Sequence, residues 1–166
     1  MDENTNFDNK TKLIKTNNNE PNVELKWILH GSEDYEQSLN LREEVLRKPL
    51  GLRLERELLK EENAGLLTAW KENFCIGTVV LIEEDFETAR MKAVAVSPHF
   101  QNLGIGKKMV IESENEALRR GYKKIYLHAR KNVVSFYEKL GYEAYGEEFT
   151  EVTIPHRRMI KNLILL

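Results

Sequence analysis

The sequence has few of the residues that mark secreted, metal-binding or membrane-spanning proteins. Its 166 residues include one cysteine, Cys75, which excludes an intramolecular disulfide and a multi-cysteine metal site. No apolar run approaches the roughly 18 residues of a membrane helix, and no signal peptide is recognisable. Neither sign of charge dominates, because 25 basic side chains are mixed with 27 acidic ones. We therefore expect a cytoplasmic protein that binds neither nucleic acid nor a membrane.

Composition divides the chain into a polar segment and one domain. Residues 1–22 are rich in Asn, Asp, Thr and Lys and are predicted to form a disordered tail, whereas residues 23–166 suit a single domain. Alternating apolar residues predict a first strand over Val23–Leu29. A helix is predicted from Ser32 to about Lys48, and a short, charge-rich second helix over Leu54–Glu62.

The rest of the chain alternates strands with helices. Three apolar runs, Leu66–Trp70, Phe74–Ile82 and Thr88–Val96, predict an antiparallel meander. A helix from Gly106 and a strand over Ile125–Ala129 then predict a right-handed crossover to a parallel neighbour. One further helix and two final strands complete an α/β protein, whose mixed sheet is predicted to have six or seven strands and about four helices.

The stretch from Val94 to Lys107 joins an apolar strand, a short loop broken by Pro98, and two glycines that open a helix. Gly104 and Gly106 let several backbone N–H groups face one anion, and the helix dipole and the neighbouring lysines favour negative charge. The spacing matches neither a Walker loop nor the dinucleotide-binding fingerprint. It predicts a phosphate or pyrophosphate site, and a glycine turn that only caps the helix is the alternative.

A second stretch makes the pattern more specific. Asn132–Tyr142 reads Asn-Val-Val-Ser-Phe-Tyr-Glu-Lys-Leu-Gly-Tyr, and Gln101–Gly106 has the form Gln-x-x-Gly-x-Gly. Together, in this order and at this distance, they resemble the two signatures of the GNAT superfamily of N-acetyltransferases. The resemblance covers roughly residues 23–163.

Two further segments resemble a single branch of that superfamily. Arg42–Leu52, with its Arg-Lys-Pro-Leu-Gly, is similar to the ElaA-like branch. The end of the chain is similar to the same branch at Phe149, Glu151, Ile154–His156 and Met159. Thr153 departs from this branch, which usually carries glycine before Ile-Pro-His. The departure concerns the branch and leaves the resemblance to the superfamily unchanged.

The resemblance implies an acyl-CoA N-acyltransferase fold whose sheet splays apart between the strand ending at Val96 and the strand starting near Ile125. Acetyl-CoA would bind in that cleft as the cosubstrate, without a metal. Its acetyl group would pass to a primary amine of a small molecule or a protein, and a homodimer is left open. The residues implied to contact acetyl-CoA are Val94, Ala95, Val96, Gln101, Asn102, Leu103, Gly104, Ile105, Gly106, Lys107, Asn132 and Ser135.

The same resemblance places Tyr137 at the position of the catalytic proton donor. A tyrosine keeps its proton at neutral pH and can give it to a departing thiolate. Tyr137 also lies on an apolar stripe with Val133 and Phe136, so a purely structural role is the alternative. Two alternatives to an enzyme are a non-catalytic, acyl-CoA-binding regulatory domain, which would keep the glycine loop without needing Tyr137, and an unrelated α/β binding module whose glycine loop only caps a helix.

The base that removes the amine proton is left open by the sequence. The candidates are His128 on the strand beside the cleft, His156 in the last strands, Glu83, and a chain of water molecules. His128 and His156 are also the candidate acceptor-site residues. Together with His99 they are too scattered along the chain to predict a metal site from spacing.

Overall fold

The structure, a computed structural model, describes residues 11–13 and 22–163. One mixed sheet runs through this part of the chain, with the strand order β1-β2-β3-β4-β5-β6-β8-β7. Its strands are β1 (Thr11–Leu13), β2 (Glu24–Trp27), β3 (Gly65–Lys71), β4 (Phe74–Glu83), β5 (Thr88–Val96), β6 (Lys124–Arg130), β7 (Glu143–Glu151) and β8 (Ile154–Asn162). The α-helices of the described residues are α1 (Glu33–Leu46), α2 (Ile105–Arg119) and α3 (Val134–Glu138). Single 3₁₀ turns lie at Lys48–Leu50, Arg56–Leu58, Pro98–Phe100 and Lys131–Val133.

The predicted α/β architecture is confirmed, with one helix fewer than expected. The segment Leu54–Glu62, predicted as a helix, contains only the 3₁₀ turn Arg56–Leu58. This charge-rich segment has no apolar stripe that could pack on the sheet as a helix. Contacts with the rest of the fold therefore determine the path of its backbone. Within the predicted tail, residues 11–13 pair with β2 as a short strand. The remaining tail lies outside the described residues, and the domain boundary stays a prediction.

The helices cover the two faces of the sheet separately. On one face α2 buries Met109, Val110 and Ala117, each fully excluded from solvent, against the sheet. This is the apolar stripe that the sequence predicts for α2. On the other face α1 packs Tyr35 and Leu39 against the sheet. We refer to these as the α2 face and the α1 face.

A buried ion pair ties α1 to the loop that follows it. The Arg42 guanidinium donates two hydrogen bonds to the Glu61 carboxylate, at 2.7 and 3.0 Å, and the Tyr35 hydroxyl donates a third at 2.8 Å. Glu61 is completely buried. Burial acts to raise the pKa of Glu61, but the hydrogen bonds and positive charge of Arg42 outweigh it and lower that pKa.

The sheet opens in the middle, between β5 and β6. These parallel strands pair only from Thr88 to Arg90, opposite Lys124 to Tyr126. Beyond Arg90, β5 continues beside β4 alone, with a register shift near Ala93, whose φ is +52°. The predicted central splay is therefore present, and its mouth lies where β5 leads into the glycine loop.

The last two strands form a hairpin beside β6. β8 lies between β6 and β7, so Pro155 belongs to an interior strand. Pro155 sits just beyond the β6 ladder, which begins at His156. The hairpin turn, Val152–Thr153, has positive φ at both residues, +44° and +69°. In the described part of the chain, no helix is long and apolar enough to cross a membrane.

Candidate active site

The glycine loop leaves open space in front of the first turn of α2. Gly104 is the N-cap of α2 in the left-handed region, with φ +82°, and a Cβ built on it would meet no atom within 4 Å. Asn102, two residues earlier, is also left-handed at φ +63°. The first N–H groups of a helix have no acceptor within the helix. A phosphate fits here, because donors and the positive end of the helix dipole face the same open space.

Gln101 shapes this loop by closing it. Its Nε2 donates to the Val96 carbonyl at 2.9 Å, and the Phe100 amide donates to the Ser97 carbonyl at 2.9 Å. Gln101 therefore stabilises the turn, and its role as a direct ligand of acetyl-CoA stays a prediction.

The other predicted loop residues differ in what they can offer a ligand. The Ile105 and Ala95 side chains are buried, so only their backbone groups can reach a ligand. Lys107 and Leu103 are exposed beside the open space.

The predicted contact residues meet where the sheet opens. Val94 and Val96 lie on the part of β5 that pairs with no described residue on the β6 side, so this side of β5 can accept an extended ligand as an added strand would be accepted. A Cβ on Gly106 would lie 3.5 Å from the Phe136 ring and 3.7 Å from Val96. The start of α2, the end of β5 and the helix α3 are therefore in contact at one corner of the gap.

Asn132 and Ser135 lie on the other side of the gap, after β6. Asn132 belongs to the 3₁₀ turn Lys131–Val133, and α3 begins only at Val134, without a side-chain cap. Both side chains are exposed. Since neither is used to cap the helix, both remain available to a ligand in the gap.

Tyr137 is held in the α2 face by aromatic contacts. Its ring lies 5.0 Å from Phe136 and 5.6 Å from Tyr142, centroid to centroid, and 5% of the residue is exposed. Burial raises the pKa of Tyr137, so its hydroxyl stays protonated at neutral pH. Among the described residues nothing accepts a hydrogen bond from this hydroxyl, yet it is not one of the fully buried atoms without a partner. The hydroxyl is therefore unpaired among the described residues.

His128 lies on the α1 face of β6, in a chain of hydrogen bonds. Its Nδ1 is 2.7 Å from Glu151 Oε2, and its Nε2 is 2.6 Å from the Tyr126 hydroxyl. Because a carboxylate only accepts, Nδ1 carries the proton, and Nε2 of the neutral ring accepts from Tyr126. Arg90 approaches the same Nδ1 at 3.2 Å, as a neighbouring charge and not as a second partner. The side chain of His128 is 19% exposed.

The remaining candidates are less well placed. His156 is buried, and its Nδ1 lies 2.9 Å from the Ile154 carbonyl, within its own strand. Glu83 lies at the far end of β4, opposite Ala89. Burial, and after it the charge of Glu83, raises the pKa of the nearby Tyr122 phenol. Glu83 is therefore at the closed end of β5, away from the gap. Burial raises the pKa of the Cys75 thiol to about 12, which excludes it as a nucleophile at neutral pH.

The sequence interpretation missed the partners of His128, namely Arg90, Tyr126 and Glu151. One signal was available: Tyr126, His128 and Arg130 alternate with buried residues along β6, so they share one face. Glu151 could not be found in this way, because it lies on β7, which is separated from β6 by β8.

Relatives and solved structures resemble this chain. It is 32% identical over 76 residues to the uncharacterized protein YyaT of Bacillus subtilis, a match that covers 46% of this chain. The chain spans only 51% and 64% of the length of the two curated relatives that we compared. Escherichia coli ElaA has a TM-score of 0.74 and 19% identity, with 84% of this chain and 99% of that chain covered. An Elizabethkingia anophelis GNAT family acetyltransferase with acetyl-CoA bound has a TM-score of 0.65 and 23% identity, with 87% and 100% covered.

These structural likenesses show the fold, and membership of the ElaA-like branch stays a prediction. The family itself rests on a match of sequence. Residues 32–142, more than half of the chain, match the family described as "Acetyltransferase (GNAT) family". The chain belongs to the GNAT family of acetyltransferases.

Proposed function

We propose that this protein is an acetyl-CoA-dependent N-acetyltransferase. It moves the acetyl group directly from the thioester to a primary amine of a small molecule or a protein, with Tyr137 as the general acid. The observation that carries the proposal is the gap between β5 and β6, with the glycine loop at its mouth. Family membership supports an acetyltransferase, whereas the amine acceptor and the role of Tyr137 are our own inference.

The gap joins two sets of groups that the sheet otherwise separates. Tyr137 packs on the α2 face with Leu127 and Ala129, whereas His128 projects from β6 on the α1 face. An extended thioester arm along the free side of β5 would reach from the glycine loop into the gap. The proton donor and the acceptor amine could then approach the thioester from opposite faces.

The chemistry requires one proton to leave the amine and one to reach the sulfur. The neutral amine nitrogen attacks the thioester carbonyl, the new C–N bond forms, and the C–S bond breaks to release CoA as a thiolate. Tyr137 donates its hydroxyl proton to that sulfur. An unpaired phenol suits this role because no hydrogen bond must be broken first. The products are the acetylated amine and free CoA, and Tyr137 regains a proton from solvent.

Of the candidate bases, His128 is the best placed to receive the proton that leaves the amine. His128 is partly exposed and is oriented by Glu151, whereas His156 is bound within its own strand and Glu83 lies at the closed end. Nε2 of His128 accepts from Tyr126, so this hydrogen bond must break or relay the proton. A free alkyl amine is mostly protonated at pH 7. We expect kcat/KM to increase with pH above pH 8. The increase in kcat, which reports the bound complex, should occur at a lower pH.

Replacement of Tyr137 by phenylalanine tests the proposal. Tyr137→Phe keeps the ring contacts and removes only the hydroxyl, so acetyl-CoA affinity should be retained while kcat falls by about 10²–10⁴. Tyr142→Phe is the matched control, since it removes a neighbouring buried hydroxyl that donates to Glu114 at 3.2 Å. That variant should lose stability and keep its turnover. Release of the CoA thiol and calorimetric binding of acetyl-CoA give the two readouts.

The alternative reading makes the opposite prediction. A regulatory acyl-CoA-binding domain would bind acetyl-CoA tightly and release no thiol with any amine, in wild type as in Tyr137→Phe. Loss of binding and turnover together in Tyr137→Phe, with Tyr142→Phe unaffected, would show that Tyr137 is structural and would overturn the assigned mechanism.

A further inference from the structure

Four arginines gather on the α1 face around His128. Arg90 is the last residue of β5 that pairs with β6, Arg130 lies two residues after His128, and Arg158 pairs with His128 in the ladder. Strand alternation places these side chains on the same face. Arg47 joins them from the end of α1. We refer to Arg47, Arg90, Arg130 and Arg158 as the arginine cluster.

Arg47 and Arg130 converge on a single acceptor. Both guanidinium groups donate to the Leu46 carbonyl, Arg130 Nη2 at 2.7 Å and Arg47 Nη1 at 3.1 Å. A guanidinium has five N–H donors, so most donors of this pair are left for another group. Burial, and after it the charge of Arg47, lowers the pKa of Arg130, as expected where two cations lie close together in a partly dry place.

The arginine cluster forms no close ion pair, although the charges of Glu151 and Glu55 act on Arg47 from a distance. In the described ranges no carboxylate oxygen lies within 4.0 Å of any of its guanidinium groups, although Arg42 pairs with Glu61 on the same helix that ends at Arg47. Arg158 instead lies over the Phe149 ring, 4.5 Å from its centroid, and Arg90 has a buried Nε without a partner. Half-buried positive charge without an anion is unfavourable, so an anionic ligand would be stabilised here.

We propose that the amine acceptor carries an oxyanion, a carboxylate or a phosphate, and that Arg47 and Arg130 bind it while the amine lies beside His128. This inference rests on the proposed N-acetyltransferase function and narrows its substrate class. Guanidinium forks match carboxylate and phosphate oxygens two at a time. Residues two apart on a strand are separated by about 6.5 Å, so the amine and the anion should be only a few bonds apart. Polyamines and lysine-rich segments would meet repulsion.

Matched acceptors test the inference. The amines are 3-aminopropanoate, its methyl ester, propylamine and 2-aminoethyl phosphate, each assayed with acetyl-CoA by release of the CoA thiol. We expect kcat/KM to be at least tenfold higher for an anionic amine than for its neutral counterpart. The ester removes the charge and keeps the chain, and comparison of the carboxylate with the phosphate identifies the oxyanion.

Variants locate the site. Arg130→Gln keeps a polar side chain and removes the charge, so it should raise KM for the anionic amine tenfold or more and change KM for the neutral amine much less. Arg47→Gln should do the same. Arg53→Gln is the control, because Arg53 is an exposed arginine paired with Glu57, and its loss should leave the preference intact. Unchanged acetyl-CoA affinity shows that each variant is folded.

Two results would overturn the inference. One is equal or better acetylation of propylamine or the ester than of the anionic amines. The other is a preference for anions that survives in both Arg130→Gln and Arg47→Gln. If acetyl-CoA binds but no amine is acetylated, the proposed function fails, and calorimetric binding decides the inference. Binding of 3-aminopropanoate that is lost in Arg130→Gln supports an oxyanion site, and equal binding of the acid and its ester refutes it.

Discussion

The glycine loop gives the sharpest prediction, because the chain contains a matched control for it. Gly104 has φ +82° and Gly121, at the end of α2, has φ +88°, and a Cβ on either would meet nothing within 4 Å. Valine at both positions therefore introduces the same backbone strain, about 1–2 kcal/mol for a residue forced into the left-handed region. Only Gly104 faces the space in which we place the pyrophosphate. The pair separates strain from ligand contact.

The magnitudes follow from the geometry. A Val side chain on Gly104 would hold the pyrophosphate away from the first N–H groups of α2 and remove at least two charge-assisted hydrogen bonds. At about 1.5–3 kcal/mol each, their loss weakens acetyl-CoA binding by more than about a hundredfold. The strain in either variant lowers Tm by roughly 2–8 °C for a domain of this size.

Calorimetric titration with acetyl-CoA, together with thermal unfolding, measures both quantities. We expect Gly104→Val and Gly121→Val to have similar Tm values and very different affinities. If Gly104→Val is folded and binds acetyl-CoA within threefold of Gly121→Val, the loop is only a helix cap and the assignment of the cosubstrate site is wrong.

Three further predictions concern the hairpin, the buried ion pair and the acceptor side. Thr153→Gly should raise the free energy of unfolding by about 1 kcal/mol, because glycine relieves a φ of +69°, and urea titration measures it. Arg42→Met should cost about 3–5 kcal/mol at neutral pH, because it leaves the Glu61 carboxylate buried without its main partner. In steady-state kinetics, His156→Ala should raise KM for the amine more than it lowers kcat, since the buried His156 ring supports Phe149, whose ring in turn lies against His128.

The predictions for Thr153→Gly and His156→Ala can each be contradicted by a specific result. Thr150→Gly, in ordinary strand backbone of the same hairpin, should destabilise, so a loss of stability in both glycine variants would remove the strain argument. Loss of the pH dependence of kcat in His156→Ala, with KM intact, would make His156 the base.

The direction in which pH changes the contribution of the Arg42–Glu61 ion pair to stability can be predicted. In wild type the pKa of Glu61 is lowered, so its contribution to stability is present above the unfolded pKa and is lost as pH falls through the folded one. In Arg42→Met burial would raise that pKa, so stability would fall as pH rises above about 4.3, the ordinary value for glutamate. The difference from wild type should therefore grow between pH 4 and 7. In a Glu61→Gln background the effect of Arg42→Met should be constant with pH, and a constant effect in the background that keeps Glu61 would contradict the reasoning.

Local sequence patterns were sufficient for the elements that carry their own signal. The stripe of Met109, Val110 and Ala117 predicted α2 and the face it buries, and Ser32 was correctly predicted to cap α1, where its hydroxyl accepts from the Tyr35 amide at 3.2 Å. The glycine loop was also visible, because left-handed backbone needs glycine at Gly104. The splay of the sheet was predicted only from the family resemblance, because no residue pattern in Thr88–Val96 shows where the pairing of β5 with β6 ends.

Features made by distant parts of the chain could not be predicted. Glu61 was assigned to an exposed, charge-rich helix, and its burial depends on Arg42, which lies 19 residues earlier. The turn at Val152–Thr153 gave no signal because both residues favour strands, and the ladder of β7 with β8 imposes the positive φ values.

The arginine cluster shows why the acceptor side was the least predictable part of the site. Each of its members looks like an ordinary surface arginine in the sequence, and Arg130 meets the Leu46 carbonyl across 84 residues. What makes them a group is the strand order, which inserts β8 between β6 and β7 and brings α1 to end beside β6. The predicted cosubstrate side, in contrast, takes most of its residues from one continuous strand, loop and helix, and only Asn132 and Ser135 from across the gap. A fold that keeps one side local and assembles the other from distant segments can change its acceptor without disturbing the site for acetyl-CoA.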